Sequence, residues 1–238
     1  MQFHELMPGS VFKFGDLPTA ISKEFGMKKD CGCEWIKLNE QGDVMLLTMP
    51  YLVIDRPRPS GSNRDERTKG SGFFAETDLF QWLIGNVTKR HFDIGIKNTF
   101  RSIFTKPQLE LFDYVERTYT VPKGKIRAHG KQKQIISRFS MASVEELKTF
   151  FEMTRGSAEQ YYYHVLTSRD PSTSPSTYRA VRCNGELMNS GEYPRYRNRI
   201  PIVARIAQEA EIKRVNDRFV IVTRDADLTA AYAKLMRF

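Results

Sequence analysis

The sequence predicts an α+β fold: one compact domain of mixed or antiparallel sheets with a few helices, followed by a C-terminal strand-helix extension. Three observations carry this expectation. Short apolar-polar alternations closed by Gly, Pro, Ser or Asp recur along the chain, the pattern of half-buried strands. A few other stretches place apolar residues at helical spacing behind an N-capping residue. Neither an internal repeat nor a clear linker divides the 238 residues, and a 40% hydrophobic content is enough for a sizeable core.

The opening is β. Met7–Phe14 alternates after a Pro-Gly turn signal, and Trp35-Ile-Lys-Leu38, then Gly42-Asp43, then Val44-Met-Leu-Leu47 reads as a hairpin. Residues 55–72 carry two prolines, three glycines and almost no apolar residue, so a long exposed loop is expected there. Thr77 is an N-cap candidate for a short helix that places Leu79, Trp82 and Leu83 on one side. Ser143-Val-Glu-Glu146 is a capping box, and Val144, Leu147, Phe150 and Phe151 behind it form the stripe of a helix packed on a core.

Between the two helices, Val121–Arg138 holds six cations and no acid, and Pro122, Gly124 and Gly130 argue for another exposed loop. Beyond the second helix come β-like pieces at 161–166, 178–182, 200–206 and 219–223, separated by turns such as Pro171–Ser176. Tyr161, Tyr162 and Tyr163 stand either in a strand, where alternation buries at least one of them, or on a face that stacks bases. The chain ends in an Ala- and Leu-rich stretch, Asp225–Met236, expected to be a helix with Leu228, Tyr232, Leu235 and Met236 along one side.

The formal net charge of +9 comes from the second half: residues 1–120 hold 16 Lys and Arg against 16 Asp and Glu, whereas residues 121–238 hold 21 against 12. This balance favours acidic surfaces or phosphate backbones as partners, unless the cations are merely solvated. One cluster is the 121–138 segment, with Lys123, Lys125, Arg127, Lys131, Lys133 and Arg138. In a second, Tyr193, Arg195, Tyr196, Arg197 and Arg199, cations alternate with rings, chemistry suited to single strands because tyrosines stack on bases while arginines pair with phosphates. Arg64 and Arg67 in the 55–72 loop are further binding candidates.

The chemistry of catalysis finds little to hold. Ser168 or Cys183 with His164 and Asp170 lie close only in sequence, and no nucleophile elbow occurs. Glu145 and Glu146 are explained by helix capping and by the favourable helix N-terminus. Gly70-Ser-Gly72 is too short for a phosphate loop. Cys31 and Cys33 with Cys183 and one histidine lack the usual zinc spacing, and small residues in a turn before Trp35 are the favoured reading. No enzyme activity, cofactor or metal is therefore expected. Three cysteines do not make a secreted disulfide framework, and the longest apolar runs are far below the ~20 residues that cross a bilayer, so a cytoplasmic protein with no membrane partner is expected.

The order of features also resembles a family. Phe12-Lys-Phe-Gly15, Trp35–Leu38, Val44–Leu47, a polar loop, Leu79–Leu83 and Phe92 look like the first half of a large uncharacterised domain family of bacteria and phages. The helix Ser143–Met153, then Tyr163–Arg169, Val181-Arg-Cys-Asn-Gly185 and Arg199-Ile-Pro-Ile-Val203 match its second half in order. The resemblance covers residues 6–206; Tyr161–Tyr163 stand where that family has tryptophans, Ile200-Pro201 replaces its Arg-Pro, and residues 207–238 have no counterpart. It implies a C-type-lectin-like fold, shared with formylglycine-generating enzymes and hypervariable phage receptor-binding domains, over 1–206, with 207–238 as an extension packed on it or on a neighbour. The formylglycine chemistry is not implied, because it needs a pair of cysteines near the C-terminal end and only Cys183 stands there.

Two functions follow as expectations. The first is a non-enzymatic binding or structural protein, phage-associated by resemblance and so in the host cytoplasm or a virion, that contacts a protein partner through loops 55–72, 121–138 and 190–199. The alternative is a binder of single-stranded RNA or DNA through the basic second half.

Overall fold

Alternation along short strands sends large side chains to both faces of one sheet, and each face has its own cover. The computed structural model describes residues 1–15, 33–47, 51–52, 77–85, 99–120, 132–154, 162–168, 178–182, 198–215 and 218–223. The fold is mixed α+β, mostly sheet with few helices. From edge to edge the main sheet runs β12 (Glu211–Val215), β13 (Arg218–Val222), β1 (Val11–Lys13), β2 (Glu34–Lys37), β3 (Asp43–Leu46), β11 (Ile202–Arg205) and β7 (Phe139–Met141). Its neighbours are antiparallel except β13 and β1, which run parallel with Phe219 opposite Phe12.

A four-stranded sheet orders β4 (Tyr51–Leu52), β10 (Asn198–Arg199), β8 (Tyr162–Ser168) and β9 (Tyr178–Arg182). A two-stranded hairpin pairs β5 (Val115–Thr120) with β6 (Gln132–Ser137). Among the described residues the helices are α1 (Asp78–Ile84), α2 (Lys106–Glu110) and α3 (Val144–Thr154).

Phe12, Trp35, Val44, Leu46, Ile202, Ala204, Phe139 and Met141 face one side of the main sheet, where α1 and the 3-10 turn Phe100–Ile103 add Trp82 and Phe100. The aromatic rings meet mainly edge to face or tilted: Phe112 lies 4.7 Å from Phe139 and Trp82 5.3 Å from Phe100, centroid to centroid. The Trp35 indole N–H donates to the Phe14 carbonyl at 3.0 Å, so the largest core side chain carries no orphan donor. The intervening residues Ile36, Met45 and Val203 face the other side and are covered by Val144, Leu147, Phe150 and Phe151 of α3.

The predicted helix signals hold at atomic level. Thr77 accepts from the Phe80 amide, and Ser143 and Glu146 exchange both bonds of a capping box, at 3.2 and 2.8 Å. The predicted hairpin is β2–β3, whose turn needs Gly42: φ is +89°, and a Cβ there would sit 2.7 Å from the Ile206 carbonyl oxygen. Tyr162 and Tyr163 lie in β8, with Tyr163 in register with Arg199 on one side and Val181 on the other, so this run is sheet.

One expectation is corrected. The sequence predicts an irregular loop over Val121–Arg138, but Gln132–Ser137 is β6. Pro122, Gly124 and Gly130 all precede the strand, and burial of Ile135 and Ser137 holds it down. Within 207–238, Glu211–Val215 and Arg218–Val222 are strands of the main sheet itself, and the chain start is stitched to them by Phe3 N–H to Ala210 O at 2.8 Å and Ile212 N–H to Met1 O at 2.8 Å. The 55–72 loop, Tyr161 and the 225–236 stretch lie outside the described residues.

Lys37 is fully buried on the aromatic side of β2. Its ammonium donates to the carbonyls of Leu6 at 2.6 Å, His4 at 3.3 Å and Phe3 at 3.4 Å, lies over the Phe3 ring at 5.2 Å, and has Glu40 at 3.6 Å. It thereby caps the end of the 3-10 turn Phe3–Glu5 and fastens the N-terminal segment to the sheet. Lys37→Met keeps the aliphatic stem but leaves these carbonyls without their donor. It is expected to destabilise the fold by about 2–4 kcal/mol in urea unfolding; an unchanged midpoint and slope would contradict this role.

Candidate partner-binding surface

The β5–β6 hairpin has two unlike faces because its pairs alternate. Arg117 with Ile135 and Tyr119 with Lys133 are in register, as are Glu116 with Ile136 and Thr118 with Gln134. Tyr119, Ile135 and Ser137 are buried, the first two in the aromatic core. Glu116, Thr118, Gln134 and Ile136 face solvent. Just beyond the paired region, Tyr114 extends the same outer face, so that Tyr114 (65% exposed) and Ile136 (66% exposed) are diagonal neighbours on it.

Charged contacts pin the hairpin from below. Arg117 Nη1 meets Glu146 Oε1 at 2.5 Å, with both side chains largely buried, while Glu146 Oε2 accepts from the Ser143 amide. Arg138 Nε donates to the Phe112 carbonyl at 3.0 Å, and its guanidinium lies 4.4 Å from the Tyr114 ring centroid. Asp113 N–H donates to Arg205 O at 2.9 Å, which ties the strand entrance to β11.

Next to this joint, Arg205 grips Asp43 with two bonds, Nε to Oδ1 at 2.9 Å and Nη2 to Oδ2 at 3.0 Å, and Asn39 Nδ2 adds a third to Oδ2 at 2.8 Å. Burial pushes the Asp43 carboxyl up, but the bonds from Arg205 and Asn39, with the charges of Arg205 and Arg117, outweigh it and hold the group below its ordinary value. The bond to Asp43 in turn raises Arg205, against the opposing effect of burial.

Of the sequence-predicted binding residues, the described ones are Lys133, Arg138 and Arg199. Lys133 is exposed at the far end of β6. Arg138 is engaged by Phe112 and Tyr114, and Arg199, in β10 of the other sheet, is half-buried and already in contact with neighbours. The two basic clusters thus attach to different sheets, one between β5 and β6 and the other leading into β10. Arg64, Arg67, Arg127, Lys131, Tyr193, Arg195, Tyr196 and Arg197 lie outside the described residues.

Sequence reasoning passed over Tyr114, Ile136, Asp43 and Arg205. The alternation Val115, Arg117, Tyr119 against Glu116 and Thr118 is the signal that marks β5, and Asp43 follows the hairpin glycine. Among the described residues, Cys33 is buried, and no group of three His, Cys, Asp or Glu is placed to hold a metal ion. His164 and Ser168 both lie in β8. Also among the described residues, no helix is long and apolar enough to cross a membrane. Comparison with protein-family models, curated proteins and solved structures found no match.

The sign of the Asp43 contribution follows from its lowered value. Around its ordinary value of 3.8 the folded chain binds fewer protons than the unfolded one, so the stabilisation is fully present above that pH and is lost as the pH falls below it. Asp43→Asn is therefore expected to lower stability at neutral pH, with the gap to wild type closing below about pH 4. Unfolding midpoints of both proteins across pH 3–7 check this; a gap independent of pH would contradict it.

Proposed function

We propose that the chain is a non-enzymatic binding or structural protein that contacts a protein partner through the outer face of the β5–β6 hairpin and the basic connection between its strands. The observation that carries this reading is the exposed pair Tyr114 and Ile136, set side by side on a ladder whose inner face is locked into the core. Scattered exposed apolar residues are ordinary, but an aromatic and a branched aliphatic side chain on one rigid face make a low-entropy contact, the kind that interface centres favour. The connection that follows β5 supplies Lys123, Lys125, Arg127 and Lys131 without an acid, which selects a partner with an acidic rim. Phage association, a place in the cytoplasm or a virion, and the C-type-lectin-like identity of the fold belong to this proposal through the resemblance of residues 6–206.

A second reading is binding of single-stranded nucleic acid. Arg138 stacked on Tyr114 supports it, since a ring and a guanidinium side by side form a platform for bases, and Arg195, Arg197 and Arg199 would add phosphate contacts.

Fluorescence anisotropy with labelled single-stranded RNA, single-stranded DNA and duplex DNA at low and high salt separates the two. The protein-partner reading expects no submicromolar binding; tight binding that weakens steeply with salt would transfer the assignment to nucleic acid. With the partner in hand, Tyr114→Ser combined with Ile136→Asp is expected to lower affinity about tenfold or more while the melting temperature moves by no more than about 3 °C. Unaltered affinity in that variant would exclude the hairpin face as the contact.

A further inference from the structure

A cleft of about 760 Å³ opens where the chain start, α2 and the β12–β13 edge of the main sheet converge. Pro107, Leu111, Ala210 and Val222 give it an apolar floor, and Glu5, Glu110, Glu209 and Glu211 stand around it. Glu5 is committed to the Gln2 amide at 2.7 Å and Glu211 faces Lys213 at 3.8 Å, whereas the exposed Glu110 and Glu209 have no ion-pair or hydrogen-bond partner for their side chains among the described residues. An apolar floor with unspent carboxylates fits an amphipathic segment that carries its own cations.

We propose that this cleft is the docking site of the chain's own C-terminal segment, residues 224–238. Three observations converge on that occupant. Thr223, the residue from which the segment departs, is itself part of the cleft wall, so the segment is delivered to the site at high effective concentration. Its apolar residues Leu228, Tyr232, Leu235 and Met236 fall at i, i+4, i+7 and i+8, one stripe of a helix, and match the apolar floor. Its cations Arg224, Lys234 and Arg237 outnumber its acids Asp225 and Asp227, and Lys234 and Arg237 lie in the acid-free later part of the segment, where they can meet Glu110 and Glu209. As the helix their sequence pattern predicts, the twelve residues from Asp225 to Met236 would extend about 18 Å, long enough to run from Thr223 across α2. Docked there, the segment would lie against the β12–β13 end of the main sheet and cover the joint between the chain start and Glu211.

Hydrogen exchange of the full chain, read by mass spectrometry, tests this. Leu228→Asp combined with Tyr232→Asp removes the apolar stripe, and Glu110→Lys combined with Glu209→Lys, at exposed positions of the wall, reverses the charge. Both variants are expected to speed amide exchange about tenfold or more in 209–212 and in 224–238, with α3 and β2–β3 unchanged. Exchange in 209–212 that stays at the wild-type rate in both variants would overturn the proposal. So would wild-type protection that disappears on dilution, because the segment in the cleft would then come from a second copy.

Discussion

One carboxylate, Glu146, sets the position of the hairpin on the rest of the molecule. One oxygen accepts from the Ser143 amide and so fixes where α3 begins; the other holds Arg117 of β5. The start of the helix that covers one face of the main sheet, and the hairpin that reaches the aromatic core on the other, are therefore located by the same group. The pair is largely buried, so removing either partner would strand a charge away from water, a far larger effect than loss of a surface ion pair. Asp43 and Arg205 extend the network to β3 and β11, and the Asp113 amide returns it to the hairpin. A hairpin held this way keeps its outer face ordered, so a contact made through Tyr114 and Ile136 would carry a smaller ordering cost than one made by exposed apolar residues in a loop.

Much of the frame was legible in the residue order, and the reasons are local. A capping box and a four-residue stripe specify α3 because both signals lie within three turns of chain. Thr77 and the Gly42 turn are similarly self-contained. What was not legible depends on distant partners. Lys37 alternates in phase with Trp35, which places it inward, yet a lysine reads as outward until three carbonyls of the chain start are brought to it. β12 buries only Ile212 among Glu211, Lys213 and Arg214, so its strand character comes from pairing with β13 rather than from its own composition. In β6 only Ile135 and Ser137 are buried, and the preceding run of cations and glycines hides a strand that exists because β5 is beside it.

The site shows the same division. Charge pointed to the 121–138 and 193–199 clusters, and the structure joins the first to a rigid ladder and the second to β10. Charge alone did not separate Arg138, which is bound to the Phe112 carbonyl, from Lys133, whose side chain is exposed. The apolar contribution, Tyr114 and Ile136, was invisible because an exposed hydrophobic residue in a strand looks the same in sequence as a buried one. β5 also lies against β8, so the hairpin and the small sheet that carries Arg199 are neighbours.

The outer hairpin face is the proposed seat of the partner. A photo-reactive benzoylphenylalanine placed at Ile136, with a control at the exposed Lys148 of α3, tests it directly when both proteins are irradiated in the cells that express them. One discrete crosslinked product is expected from position 136 and none from position 148. Equal products from both positions, or a product from 148 alone, would contradict it.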